Sequence, residues 1–252
     1  MNIFESIILG TIQGITEFLP ISSSGHLIIF QSLLNVKQPG NDFEVLVHLG
    51  TLGSVIFVFY KDIFDLIKNI RSKESQDYIQ MVILGTIPAV FAGLYFKSYV
   101  YILFERINNV AIALIFTGIV LITTLFIKRK DYKISFQMAF FIGLAQSIAI
   151  IPGISRSGMT ISTAMLLGLS SKNAARFSFM LAIPAISGAG ILTLMDFNGG
   201  FDLPSEVIFT SLLSSFVVGI FSLKLLMSLL NVGKFHLFGL YCLVVGFITL
   251  IN

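Results

Sequence analysis

Two stretches of this 252-residue chain, GTIQGITEFLPISSSGHLI at 10–28 and GLAQSIAIIPGISRSGMTI at 143–161, align without a gap at a separation of 133 residues. Gly10, Gln13, Ile15, Ile21, Ser22, Ser24, Gly25 and Ile28 meet the same residue type in Gly143, Gln146, Ile148, Ile154, Ser155, Ser157, Gly158 and Ile161. Each stretch interrupts an apolar region, 1–34 or 135–169, with Pro, Gly and Ser in its middle. With 56% hydrophobic and 12% charged residues and a mean hydropathy of +0.93, the chain is not a soluble domain. Backbone broken at membrane depth has to be buried in protein or line a cavity, because lipid offers it no hydrogen bonds. The two regions therefore read as re-entrant helical hairpins.

Six further apolar segments, near 43–60, 80–97, 109–127, 174–195, 206–230 and 235–252, are each long enough to cross a bilayer as a helix. The expected fold is an all-α polytopic membrane protein in one domain, 1–252, divided into repeats 1–127 and 135–252. Each repeat is a hairpin followed by three spans. An odd number of spans sets the halves in opposite orientations, the inverted-topology repeat of many transporter-like folds, with a site where the broken elements meet.

Charge sets the expected orientation. Lys61, Lys68, Arg71 and Lys73 lie in one connection, Lys128, Arg129, Lys130 and Lys133 in another, and Lys172 and Arg176 at the start of a span. The positive-inside rule faces these to the cytoplasm. The acidic segment from Asp196 to Glu206 and the turn holding Glu105 and Arg106 face outward. Both termini then lie outside, and the N-terminus, without a basic leader region, reads as mature sequence. A net charge of +3, with its basic residues in the connections, points to membrane topology and not to nucleic acid. The lone Cys242 excludes a disulfide framework.

Ionisable residues inside a membrane are costly and mark function by default. The first hairpin carries Gln13, Thr16, Glu17, Ser22, Ser23, Ser24 and His26; the second carries Gln146, Ser155, Arg156, Ser157 and Thr160. Gln13 and Glu17 share a helix face and form a candidate divalent-cation pair. The helix restarts after Pro20 and after Pro152-Gly153 present free N–H groups beside serines, an anion cradle formed of Gly153, Ser155, Ser157 and Thr160. Arg156 adds a planar fork suited to phosphate oxygens. Glu17, Ser23, His26 and Arg156 are the candidate catalytic residues, with Glu17 expected beside His26. The nucleophile is either Ser23, with His26 as base, or His26 itself. His48 is expected to be structural and His236 interfacial.

The stretch QGITEFLPISSSGHL resembles the (E/Q)xxxE segment, with its following serine and histidine, of the undecaprenyl-diphosphate phosphatase family known from bacitracin resistance, and PGISRSGMT fits that family's PGxSRSxxT motif. The resemblance covers the whole chain. It implies an integral membrane enzyme of the bacterial plasma (inner) membrane that hydrolyses undecaprenyl diphosphate to undecaprenyl phosphate and inorganic phosphate, recycling the lipid carrier of peptidoglycan synthesis. It also implies a divalent cation, Mg2+ or Ca2+, and a site opening to the outer, periplasmic side. By position, the family's acidic pair falls on Gln13 and Glu17, its serine on Ser23 and its histidine on His26. The first of the pair is Gln13 and not Glu, which removes one charge from a metal site. A homodimer is the candidate assembly. The alternative function is a secondary transporter or flippase of a polyprenyl phosphate or another anion, for which inverted repeats with broken helices are equally suited.

Overall fold

The computed structural model describes residues 1–36, 42–96, 107–126, 131–196 and 203–251, and among them all regular structure is helical. The first half of the chain comprises α1 (Ile3–Thr16), α2 (Ser23–Leu33), α3 (Asp42–Val58), α4 (Tyr60–Lys68), α5 (Lys73–Tyr95) and α6 (Ile107–Thr123). The second comprises α7 (Phe136–Ile148), α8 (Arg156–Leu166), α9 (Ser171–Asp196), α10 (Ser205–Val232) and α11 (Leu237–Ile251). Local chemistry sets many ends. Asn2 and Glu5 form a reciprocal capping box on α1, Ser72 and Ser135 accept from the first turns of α5 and α7, and Gly233 closes α10 at a φ of 76°.

Four helices, α5, α6 with its 3-10 extension to Phe126, α9 and α10, are long and apolar enough to cross a membrane. The apolar segment at 43–60 is not one straight span: α3 and α4 meet at Phe59 with a bend of 67°, and together they make a fifth candidate. Residues 61–68, expected as part of a loop, are helical because the lysines, aspartates and apolar residues of YKDIFDLIK segregate to opposite faces. The sixth segment is the 15-residue apolar helix α11. Exposed Phe4, Phe91, Phe209 and Phe221 lie on the outside of α1, α5 and α10. So much exposed aromatic surface is what a lipid-facing exterior requires. The protein is a multi-pass membrane protein.

The duplication is carried into the fold. The shift of 133 residues that aligns the sequences also maps Ile3 and Phe136, the starts of α1 and α7, onto each other, and superposes both ends of α2 on those of α8. Packing is exchanged in the same way: α1 lies on α10 of the other half, α7 lies on α5, and α6 and α11 pair across the middle. Gly143 is required at its crossing, since a Cβ there would collide with the backbone of Gly85, and Gly118 and Gly239 each approach the other's carbonyl oxygen at the α6–α11 contact.

The basic connections gather at one end. Asp62 of α4 forms an ion pair with Arg176 near the start of α9, and Asn173 donates to Asp131 across 3.2 Å. Lys128, Arg129, Lys130, Glu105, Arg106 and most of the acidic segment after Asp196 lie outside the described residues.

Gly143→Ala should lower stability by about 1–3 kcal/mol, because one added methyl overpacks a backbone-to-backbone crossing. Gly188→Ala, where a Cβ would meet nothing within 4 Å, should leave it unchanged. Thermal unfolding of both variants in detergent checks the contrast.

Candidate active site

The first helix breaks just before its acid. α1 ends at Thr16, and Glu17 donates its backbone N–H to the Gln13 carbonyl at 2.9 Å. The next residues are anchored by burial: Phe18 is fully enclosed and packs edge-on against Phe179 with ring centroids 5.7 Å apart, and Ile21 joins the same core. Glu17 is thereby held inside the protein, 7% exposed. An ionised carboxylate there has to be paired and hydrogen-bonded.

Its partners come from four helices. Arg156 Nη2 donates to Glu17 Oε1 at 2.7 Å, Ser23 Oγ donates to Oε2 at 2.7 Å, and Gln13 Nε2 donates to the same oxygen at 3.0 Å. His48, on α3, brings Nε2 to 3.5 Å from Oε2. Ser23 and Arg156 occupy equivalent positions in the two halves, each the first residue of the helix after a break. The two restarted helices therefore point their first side chains at opposite oxygens of one carboxylate.

The restarts are built alike. Ser22 Oγ accepts from the Gly25 N–H and Ser155 Oγ from the Gly158 N–H, so the aligned Ser and Gly pairs form the same N-cap. A Cβ on Gly25 would touch Gly153 and one on Gly158 would touch Pro20, so each restart rests on the other half's break. Cys242 donates its thiol to the Pro20 carbonyl and Thr117 its hydroxyl to the Gly153 carbonyl, covering break carbonyls that lipid could not. Ser22 adopts a φ of 69°, a strained conformation for serine, immediately before Ser23.

The structure brings Gln13, Glu17, Ser23 and Arg156 together. Gly153, Ser155, Ser157 and Thr160 are arranged around the backbone that presents Arg156. Ser157 Oγ donates to the Leu19 carbonyl at 3.4 Å; Thr160 Oγ1 donates to the Arg156 carbonyl at 2.8 Å and lies 2.6 Å from Ser178 Oγ. His26, expected beside Glu17, is turned elsewhere. Its Nδ1 lies 2.8 Å from the Ser22 carbonyl oxygen and its Nε2 2.8 Å from the Tyr241 hydroxyl, with the two rings stacked. The histidine at Glu17 is His48. Sequence offered no signal for it, because it stands on a helix outside both broken segments, and Tyr241 was equally invisible.

The oxygens available to a divalent cation are few. Among the described residues no group of three or more His, Cys, Asp or Glu is placed to hold a metal. Gln13 Oε1, however, is buried without a hydrogen-bond partner while its Nε2 is committed to Glu17. That orphaned oxygen beside a carboxylate suits a hard cation that takes its remaining ligands from a bound phosphate, the manner in which Mg2+ is commonly held.

Fold and site together define a polytopic helical membrane protein with a charged site between two symmetry-related broken helices. The chain belongs to the family of bacitracin resistance protein BacA, which it matches over residues 6–248. It is similar to an undecaprenyl-diphosphatase of Desulforapulum autotrophicum, 39% identical over 100% of this chain and 98% of the relative. Another of the same name in Methanosphaera stadtmanae is 37% identical over 100% of this chain and 98% of its own, and undecaprenyl-diphosphatase 3 of Bacillus anthracis is 37% identical over 99% and 97%.

Removing Arg156 leaves the Glu17 carboxylate buried without its main counter-charge. Arg156→Ala should destabilise the protein by about 3–5 kcal/mol, and adding Glu17→Gln should recover part of that loss. Thermal unfolding of the two single variants and the double variant measures the coupling; additive losses would show that the pair does not interact.

Proposed function

We propose that the chain is an undecaprenyl-diphosphate phosphatase, which hydrolyses undecaprenyl diphosphate to undecaprenyl phosphate and inorganic phosphate, returns the lipid carrier to peptidoglycan synthesis and so confers resistance to bacitracin. The observation that carries the mechanism is the chain from Arg156 through Glu17 to Ser23, with contacts of 2.7 Å at both ends of the carboxylate.

Glu17 Oε2 lies where it can take the Ser23 hydroxyl proton, and this favours Ser23 over His26, whose two ring nitrogens are already engaged. In this scheme Ser23 Oγ forms a bond to the terminal phosphorus. The bridging P–O bond breaks and its electron pair leaves with undecaprenyl phosphate. Water then attacks the phosphoserine, releasing inorganic phosphate and restoring the hydroxyl. Arg156 has guanidinium N–H groups beyond the two spent on Glu17 and the Ser178 carbonyl, and these suit the charge that develops on the phosphoryl oxygens. The N-termini of α2 and α8 add their dipoles at the same place.

Mg2+ or Ca2+ belongs to the proposal, held by Gln13 and Glu17 together with the diphosphate. Bound there, it would neutralise substrate charge. For the prenyl chain, an apolar groove lined by Ile83, Thr86, Ile87, Val90, Phe91 and Pro184 runs between α5 and α9. Pro184 lies about 9 Å along α9 from Ser178, whose carbonyl accepts from Arg156 Nη1 at 3.4 Å. We further propose that the protein resides in the bacterial plasma membrane with the site opening to the periplasmic side. The gathering of Lys61, Lys68, Lys172 and Arg176 with Asp62 and Asn173 at one end supports that orientation.

Phosphate release from undecaprenyl diphosphate by purified protein in detergent tests the reading. Release should stop with a chelator and return with Mg2+ or Ca2+, and Arg156→Ala should lower kcat on the order of 10²- to 10³-fold. Hydrolysis by Arg156→Ala at the wild-type rate would overturn the proposed site, and lipid bound without phosphate release under any cation would move the reading to a carrier.

A further inference from the structure

Tyr241 meets the first hairpin from α11, at the far end of the chain. Its hydroxyl lies 2.8 Å from His26 Nε2 and the two rings stack with centroids 5.7 Å apart, while His26 Nδ1 lies 2.8 Å from the Ser22 carbonyl oxygen. A carbonyl oxygen only accepts, so Nδ1 carries the hydrogen of that bond in either charge state of the ring, and a phenol serves Nε2 as donor or as acceptor. The path from Tyr241 through His26 to Ser22 therefore does not depend on how the imidazole is charged. It ends on a strained residue. Ser22 sits at φ 69° and ψ 102°, a conformation that a serine keeps only where its surroundings hold it. Besides His26 Nδ1, its carbonyl takes the His26 backbone N–H at 3.2 Å, and its Oγ takes the Gly25 N–H.

We propose that Tyr241 is a positioning residue for the phosphatase reaction: its hydroxyl fixes the His26 ring, His26 Nδ1 fixes the Ser22 carbonyl, and the Ser22 backbone so held presents the Ser23 hydroxyl to Glu17 and to phosphorus. The inference rests on Ser23 being the attacking group in the reaction described above. The Ser22 carbonyl belongs to the peptide that joins Ser22 to Ser23, so rotation of that peptide would carry Ser23 Oγ off its 2.7 Å contact with Glu17 Oε2. The helix that brings Tyr241 is itself well seated. A Cβ on Gly239 or Gly246 would collide with the carbonyl of Gly118 or Ala111 on α6, and Cys242, beside Tyr241, is buried and donates to the Pro20 carbonyl. Two consecutive side chains of α11 thus rest on the first break. In the second hairpin Met159 stands in the place of His26, so the arrangement belongs to the half that carries Ser23. Tyr241 is 43% exposed, and its hydroxyl is not a packing element of the core.

The test is the steady-state kinetics of phosphate release from undecaprenyl diphosphate in detergent by wild type, Tyr241→Phe, His26→Leu and the double variant, with thermal unfolding of each. Tyr241→Phe keeps the stacked ring and removes only the hydroxyl. It should lower kcat on the order of 10-fold with KM and the unfolding temperature little changed, the signature of a misplaced reacting group. Added to His26→Leu it should cost nothing further, because the hydroxyl acts through the imidazole. If His26→Leu does not fold or is too slow to measure, His26→Gln takes its place, and the Tyr241→Phe variant by itself still decides. A wild-type kcat in Tyr241→Phe, a change in KM alone, a loss of kcat accompanied by a fall in the unfolding temperature, or the same fold-loss in both backgrounds would overturn the inference and leave the phosphatase reading standing. No release by wild type under any cation would overturn the phosphatase reading and this inference with it.

Discussion

A single buried carboxylate organises the centre of this protein. Burying a charge is unfavourable unless opposite charge and hydrogen-bond donors come to it. Around Glu17 those partners are Arg156 and Ser23 on opposite oxygens, with Gln13 and His48 completing the set. The pairing spans 139 residues of sequence, so it exists only when both halves of the chain have folded against each other. Glu17 itself keeps helical dihedrals, φ −64° and ψ −41°, and it is the turn after it that brings Ser23 back to the carboxylate.

Symmetry explains how two broken helices can be stable side by side. Each break exposes carbonyl and amide groups with no partner in their own helix. In each half a serine caps the restart, and a side chain from the α6–α11 pair, Thr117 or Cys242, takes a break carbonyl. The two hairpins share this scaffold but have diverged in chemistry. Where the first has Glu17 the second has Ile150, and where the first has Ser23 the second has Arg156. The duplicated frame supplies the geometry, and one acid, one hydroxyl and one guanidinium on it make a site that neither half contains alone. Gln146, the mate of Gln13, is buried with neither amide atom partnered, whereas Gln13 donates to Glu17.

Much of this was legible from the chain itself. Apolar content, the six long apolar runs and the ungapped repeat of QGITEFLPISSSGHLI as QSIAIIPGISRSGMTI were enough for an all-α membrane fold with two paired broken elements, because periodicity and breaker residues act locally. Glu17, Ser23 and Arg156 could be chosen for the same reason: ionisable and hydroxyl residues stand out against an apolar background, and the repeat said which two segments meet. The 67° bend at Phe59 was not legible, since the apolar run ends at 60 and the charged residues of α4 read as a connecting loop and not as a continuing helix.

What tertiary structure alone decided is which histidine serves the carboxylate. His26 lies three residues from Ser23 in the chain, and proximity in sequence made it the natural partner of Glu17. On α2, however, its ring turns toward Tyr241 from the far end of the chain, while His48 arrives from α3 through helix packing. Residue type and spacing determine which groups can be costly, buried or reactive. The direction a side chain takes from its helix depends on the rotation of that helix against its neighbours, set by contacts such as Gly143 on Gly85 and Gly25 on Gly153 that only the assembled bundle contains.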